Sequence, residues 1–287
     1  MYADDAQFLH SDLPNNLSDM KIRLETSMSA ALKWFTQNRL KINPSKTEMI
    51  MVKSQRLKTE TGFHIHFGNS QIFPVQSVRV LGVAVDDAMT WNKHISYILR
   101  RCYSVLIGLS RIRHRVPRET RKLLIEAPVF PLITYCMSVW GGCTVTQLRR
   151  LQKCINFCVR IVTNLRRCDR VTASRKELGW PAVQELLREH DLHVIFKLMH
   201  DSQAPDSIRS CIVHRTAVSS RSTRATSDGQ LHVPRVRTEL ARRSFICRAT
   251  RSWNELPRLF EAAPVWRRSV KRLRNGKFNP AMLGQCG

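Results

Sequence analysis

The sequence predicts an α+β protein, a small antiparallel sheet with one helix against it followed by a mostly α-helical region. Three observations carry that expectation. Alternating or β-branched runs, as at residues 63–67 and 78–85, fall within the first 90 residues. From Trp91 onward, apolar residues recur instead at three- and four-residue steps, the period of a helix with one buried face. Charge divides at the same place: residues 1–90 carry 10 Lys/Arg against 9 Asp/Glu, whereas residues 91–287 carry 37 against 13, giving a net charge of +25. The balanced part suits compact chemistry, and the basic part suits docking to a polyanion, nucleic acid first among them. The cations are scattered through many segments rather than gathered on one amphipathic helix, which argues against a membrane surface.

Tyr2-Ala3-Asp4-Asp5, followed by Ala6, Phe8 and Leu9, fits a strand, turn and strand over residues 1–10 that lifts two adjacent acids out of a sheet. A hairpin tip fixes its backbone, so carboxylate oxygens there can converge on hard cations. Two Mg²⁺ ions about 3.5–4 Å apart can then clamp the attacking and leaving oxygens of a phosphoryl transfer. Taken alone, the pair also fits an ordinary solvated turn. Leu17, Met20, Leu24, Met28, Ala31 and Phe35 predict an amphipathic helix over residues 15–35. Asn43-Pro44-Ser45 breaks the chain, because Pro44 biases Asn43 away from helix. Residues 47–52 then read as a strand.

Phe63, Ile65 and Phe67 share one face of a strand, with His64 and His66 on the polar face, and Gly68-Asn69 turns the chain toward residues 71–73. Residues 78–85 read as one buried strand, and Asp86-Asp87 as a turn and helix-start signal. Trp91, Ile95, Leu99, Cys102, Leu106 and Leu109 make a first helical stripe. A second helix over residues 118–125 should break at Pro128 and Pro131. Leu148, Leu151, Ile155, Val159, Val162 and Leu165 make a third stripe, opposite Arg149, Lys153, Arg160 and Arg167. Those four cations read equally as a solvated face or as a phosphate-tracking stripe. A fourth helix over 182–199 carries His190 and His193, with His200 beside it, read as surface or core residues. Residues 201–243 lose periodicity and read as a flexible basic linker, and 244–287 as a helical basic tail.

The nine cysteines are odd in number and contain no C-x-x-C, so a zinc knuckle is excluded. Cys154 and Cys158 share a helical face as small buried residues. With no signal peptide ahead of the hairpin and no apolar run of 18 residues, the expectation is an intracellular protein of nucleus or cytoplasm, not secreted.

The order of these segments resembles the carboxy-terminal part of a reverse transcriptase from a non-long-terminal-repeat retrotransposon, of the jockey-like, LINE-type class. Tyr2-Ala3-Asp4-Asp5 resembles that family's catalytic hairpin. Trp34-Phe35, Asn38-Arg39-Leu40-Lys41-Ile42-Asn43 and Lys46-Thr47-Glu48 resemble the palm helix and loop after it. Val80-Leu81-Gly82-Val83 resembles the strand that grips the primer end. Trp91 with His94-Ile95, Tyr135 with Val139-Trp140-Gly141, and Leu151-Gln152 resemble the helical thumb. Trp253-Asn254-Glu255-Leu256-Pro257 resembles a short motif near the end of such proteins.

The resemblance implies a partial polymerase palm over residues 1–90 and a thumb over 91–200. It implies that Asp4 and Asp5 hold two Mg²⁺ ions, with Asp4 the shared ligand, and that Lys46 protonates the departing pyrophosphate. Tyr2, Ala3, Leu81 and Gly82 would lie at the primer terminus. Arg149, Lys153, Arg160 and Arg167 would grip the RNA–DNA heteroduplex of RNA template and DNA primer through its phosphates. The family's third metal-binding carboxylate and its fingers have no counterpart here, since only Met1 precedes Tyr2. The expectation is therefore an RNA-directed DNA polymerase fragment that does not polymerise alone. The alternatives are a catalytically silent nucleic-acid-binding remnant or a decayed transposon product.

Overall fold

The computed structural model describes residues 6–53, 62–68, 70–218 and 230–256. Its architecture is α+β, with helices and two small antiparallel sheets, and the chain divides into two compact units, Met1–Lys93 and His94–Gly287.

In the first unit, α1 (Leu17–Gln37) buries Met28 and half-buries Leu24 and Leu32 against β1 (Ile65–Phe67) and β2 (Ser70–Ile72). The strands pair antiparallel, with Ile65 opposite Ile72. Ile65 and Phe67 point inward and His66 outward, the alternation expected of a half-buried strand. The Glu25 carboxylate of α1 accepts the His66 backbone N–H at 2.8 Å, so the helix satisfies a donor on the strand it covers.

Three expectations in this unit need correction or fall outside it. Residues 1–5 of the proposed hairpin lie outside the described residues, and residues 6–13 form no strand. Residues 47–52 form no strand either. Only Met49 bridges to Pro74, and a proline without an N–H cannot extend that ladder. The single strand at 78–85 is instead a hairpin of β3 (Ser77–Val80) and β4 (Val83–Asp86), with Val80 opposite Val83. Leu81 and Gly82 form its two-residue turn at φ 46° and 84°, as a tight primed turn requires. Asp86 does act as a start signal. Its carboxylate oxygens accept the N–H groups of Thr90 at 2.7 Å and Trp91 at 2.6 Å, just ahead of the next helix.

The second unit is helical. α2 (Asn92–Ile112) buries Ile95, Leu99, Cys102, Leu106 and Leu109, as the stripe predicted. α3 (Arg118–Thr134) runs through Pro128 and Pro131 rather than breaking there. The carbonyls that lose partners belong to Leu124 and Ala127, four residues back. Both residues are exposed, so water can satisfy those groups while Ile125, Val129, Phe130 and Ile133 anchor the helix. After the short α4 (Met137–Trp140), α5 (Val145–Thr163) buries Leu151, Ile155, Val159 and Val162. Cys102, Cys154 and Cys158 meet fully buried between α2 and α5, where the Cys154 contact and burial raise the Cys102 thiol's pKa. These are packing thiols.

α6 (Thr172–Glu177) leads into α7 (Val183–His200), followed by α8 (Asp206–Arg209), α9 (Arg215–Val218), α10 (Glu239–Arg242) and α11 (Phe245–Asn254). α7 and α11 pack together with Leu231, which is 1% exposed beside Leu192, Ile195, Ala249 and Trp253. The linker expectation for 201–243 read composition alone. Its described residues include three short helices and a buried anchor, because a few apolar side chains in a polar stretch, Leu231 with Ile212, are enough to dock it.

Candidate catalytic and nucleic-acid-binding residues

Tyr2, Ala3, Asp4 and Asp5 lie outside the described residues. Among the described residues no group of three or more His, Cys, Asp or Glu could hold a metal ion. His64 and His66 pack edge to face on the strand's polar side rather than converging with a third ligand.

Lys46 ends a 3-10 turn, Pro44–Lys46, that the sequence builds locally. The Asn43 side chain accepts from the Ser45 N–H at 3.0 Å and from the Ser45 hydroxyl at 2.6 Å, and Pro44 presets the first turn position. The exposed lysine lines a cavity of about 650 Å³ within the first unit, shared with Phe8, Met28, Phe35, Lys41 and Phe67. That volume suits a small molecule, and the wall is apolar with a few polar groups, as such sites usually are. Leu81 and Gly82 sit apart from this lining, on the β3–β4 turn. Leu81 is 46% exposed there, and the left-handed backbone explains glycine at 82 without any ligand.

The four cations read as a phosphate-tracking stripe do not form one stripe. Arg149 and Lys153 are exposed on α5. Arg160 turns back on its own chain, its guanidinium donating to the carbonyls of Arg166 at 3.2 Å and Asp169 at 3.3 Å. Arg167 stands in the loop that follows the helix.

The motifs of the second unit act as clamps. Trp140 is fully buried and donates its indole N–H to the Tyr135 carbonyl at 2.8 Å. A Cβ at Gly141 would strike the Leu187 side chain, and one at Gly142 would lie 2.7 Å from the Arg243 carbonyl. Gln152 accepts the Val183 N–H at 2.9 Å, satisfying a free donor at the start of α7. Asn254 holds Leu231 by both backbone groups, each at 2.9 Å, and Glu255 pairs with Arg188 at 3.3 Å.

One polar tie escapes the sequence reading. Asp191, 1% exposed on α7, receives Arg248 of α11 through two bonds of 2.9 and 3.1 Å. The same guanidinium donates to the Ser138 carbonyl at 2.9 Å and to the Arg243 carbonyl, joining three elements. Burial raises the Asp191 pKa, and Arg248 opposes that rise. Asp191 falls on the apolar stripe Leu187, Ile195 and Leu198, and Arg121 likewise on that of Ile125 and Val129. A charge at such a position was the available signal.

No protein-family profile matches the chain, and no solved structure matches it. Over 194 residues, 66% of its length, the chain is 24% identical to a Drosophila melanogaster protein described as a probable RNA-directed DNA polymerase from transposon BS. It spans 21% of that protein. The similarity supports a relation to reverse-transcriptase-like proteins.

Proposed function

We propose that this chain is the carboxy-terminal portion of a retrotransposon RNA-directed DNA polymerase, contributing part of a palm and a thumb to template-directed DNA synthesis inside the cell. The observation that carries the reading is the 24% identity, over 194 residues, to a transposon polymerase. The run of motifs from Asp4-Asp5 to Trp253-Asn254 supports it.

In this reading the adjacent carboxylates of Asp4 and Asp5 are the hard oxygen donors that Mg²⁺ takes. Ions bound there would supply charge stabilisation to the attacking and leaving oxygens. Lys46, on its fixed turn, gives up a proton to the departing pyrophosphate. The Leu81–Gly82 turn presents backbone to the primer end. The second unit holds the heteroduplex by its phosphates, since residues 91–287 carry 24 more Lys/Arg than Asp/Glu. A second reading, binding without catalysis, draws on that same charge excess.

Fluorescence anisotropy tests the shared core of both readings. The chain should bind an RNA–DNA heteroduplex more tightly than single-stranded RNA of equal length, with an affinity that falls steeply with salt. No binding, or a preference for the single strand, overturns them. A primer carrying a photoreactive 3′ nucleotide separates the two. Crosslinks within residues 80–83 support the polymerase, and crosslinks confined to the second unit leave only the binding module.

A further inference from the structure

Residues 111–122 and 160–177 contain twelve Lys/Arg and three Asp/Glu. The structure draws these two stretches together. Arg121, 6% exposed, donates to the Ile161 carbonyl at 2.7 Å and to the Asn164 side chain at 2.6 Å, so α3 grips the end of α5. Arg118 pairs with Glu177 at 2.6 Å, linking the start of α3 to α6. Arg160 ties the α5–α6 loop to its helix through the Arg166 and Asp169 carbonyls.

About half of the charges in the two stretches are consumed by this scaffold. Glu177 is taken by Arg118, and Asp169 accepts the Arg166 N–H at 2.7 Å. Lys122 pairs with Glu126 at 3.9 Å, and Arg175 with Glu185 at 3.2 Å. Arg111, Arg115, Arg166, Arg167 and Arg170 are exposed and have no side-chain hydrogen bond or ion pair among the described residues. Arg113 and Arg118 add to burial in lowering the Arg121 pKa, so the cations of the α2–α3 turn bear on the residue that joins the stretches. Like charges brought this close repel unless a polyanion neutralises them.

We infer that the α2–α3 turn and the α5–α6 loop form a two-sided arginine clamp for nucleic-acid phosphates. The inference rests on the nucleic-acid reading above and gives it a place. Five of the six uncommitted cations are arginines, Lys176 being the sixth, and their planar fork matches two phosphate oxygens where a lysine offers a point charge. Four of the arginines stand on loops and Arg111 on the last turn of α2, so they do not line the polar face of one amphipathic helix, which favours a phosphate backbone over a lipid surface. Arg121 and Arg160 are positioning residues that hold the two sides in register. Arg167 belongs to this clamp, separate from Arg149 and Lys153.

The test uses the full chain and an RNA–DNA heteroduplex. Changing Arg111, Arg115, Arg166, Arg167 and Arg170 together to Gln should flatten the dependence of log affinity on log salt by up to about 4, at roughly 0.9 per lost contact. Lys33→Gln, exposed on α1 of the first unit, should change it by less than about 1. Changing the same five to Lys should keep the slope and weaken binding several-fold, so the claim stays testable if the Gln form misfolds by circular dichroism. Wild-type binding with an unchanged slope in the folded Gln form overturns the clamp alone, as does full affinity in the Lys form. Binding of phosphatidylserine vesicles in preference to heteroduplex also overturns it. A wild-type chain that binds no nucleic acid overturns the broader reading as well.

Discussion

The two units bury different amounts of what they carry. Among the described residues, every large side chain that is fully buried, from Trp140 and Trp180 to Leu186 and Ile195, belongs to the second unit. The first unit centres on Met28, Ile65, Phe67 and Ile72, and it leaves Phe8, Leu9, Leu13, Ile22 and Trp34 among its exposed apolar residues. Hydrophobic burial is the dominant stabilising contribution, so the first unit has the smaller reserve. The difference separates two kinds of motif. In the second unit Trp140, Gln152, Trp253 and Asn254 fasten helices to one another. In the first, Lys46 is exposed beside a cavity, where packing does not account for it. On the proposed function, chemistry belongs to the loosely filled unit, and the architecture that holds a long polyanion belongs to the dense one.

The largest test of that contrast is Arg248→Met. It leaves Asp191 buried without its partner and frees the Ser138 and Arg243 carbonyls. The expected loss is about 3–5 kcal/mol in urea denaturation of the second unit. A loss under about 1 kcal/mol would mean that apolar packing alone fastens α4, α7 and α11. Phe67→Ala addresses the other side. Removing one of four central side chains should cost about 3 kcal/mol and erase the first unit's transition. Calorimetry should then show the second unit melting unchanged. A single transition lowered as a whole would show that the two units unfold together.

Much of the fold was legible because hydrophobic periodicity reports directly on which face is buried. The stripes at Ile95–Leu109 spacing and at Leu151–Val162 spacing and the Phe63–Phe67 alternation follow from it, and the Asp86 start signal from the need of a helix start for hydrogen-bond acceptors. Local rules misled where tertiary packing outweighed them. Pro128 and Pro131 should stop a helix, but the buried face of α3 holds it together where the freed carbonyls face solvent. Leu81-Gly82 was unreadable as a turn, because leucine at positive φ is uncommon and the pair carries none of the usual Asn-Gly or Asp-Gly chemistry. The Asp191–Arg248 tie joins residues 57 positions apart, which no local pattern encodes. Among the site residues, the spacing of Arg149, Lys153, Arg160 and Arg167 was visible. What each guanidinium does depends on carbonyls brought near by the loop after α5, and spacing is silent on that.

The finest test concerns charge held inside the dense unit. Glu189, half-buried on α7, has its pKa raised to about 7, first by burial and then by Glu185 one turn earlier. The ordinary value is 4.5, so between pH 4.5 and about 7 the folded state holds a proton that the unfolded state has released. Stability from this group therefore falls as pH rises through that window and levels off above it. Glutamine cannot titrate, so Glu189→Gln should match the wild type near pH 4.5 and become more stable by about 1–2 kcal/mol at pH 8. Burial lowers the pKa values of His190 and His193, which gives slopes of the opposite sign. Both histidines are present in either protein and cancel in the difference. Urea denaturation at pH 5, 6, 7 and 8 reads that difference directly. A constant offset would mean that Glu189 is ionised and solvated in the fold, and that the interior of α7 is wetter than its neighbours imply.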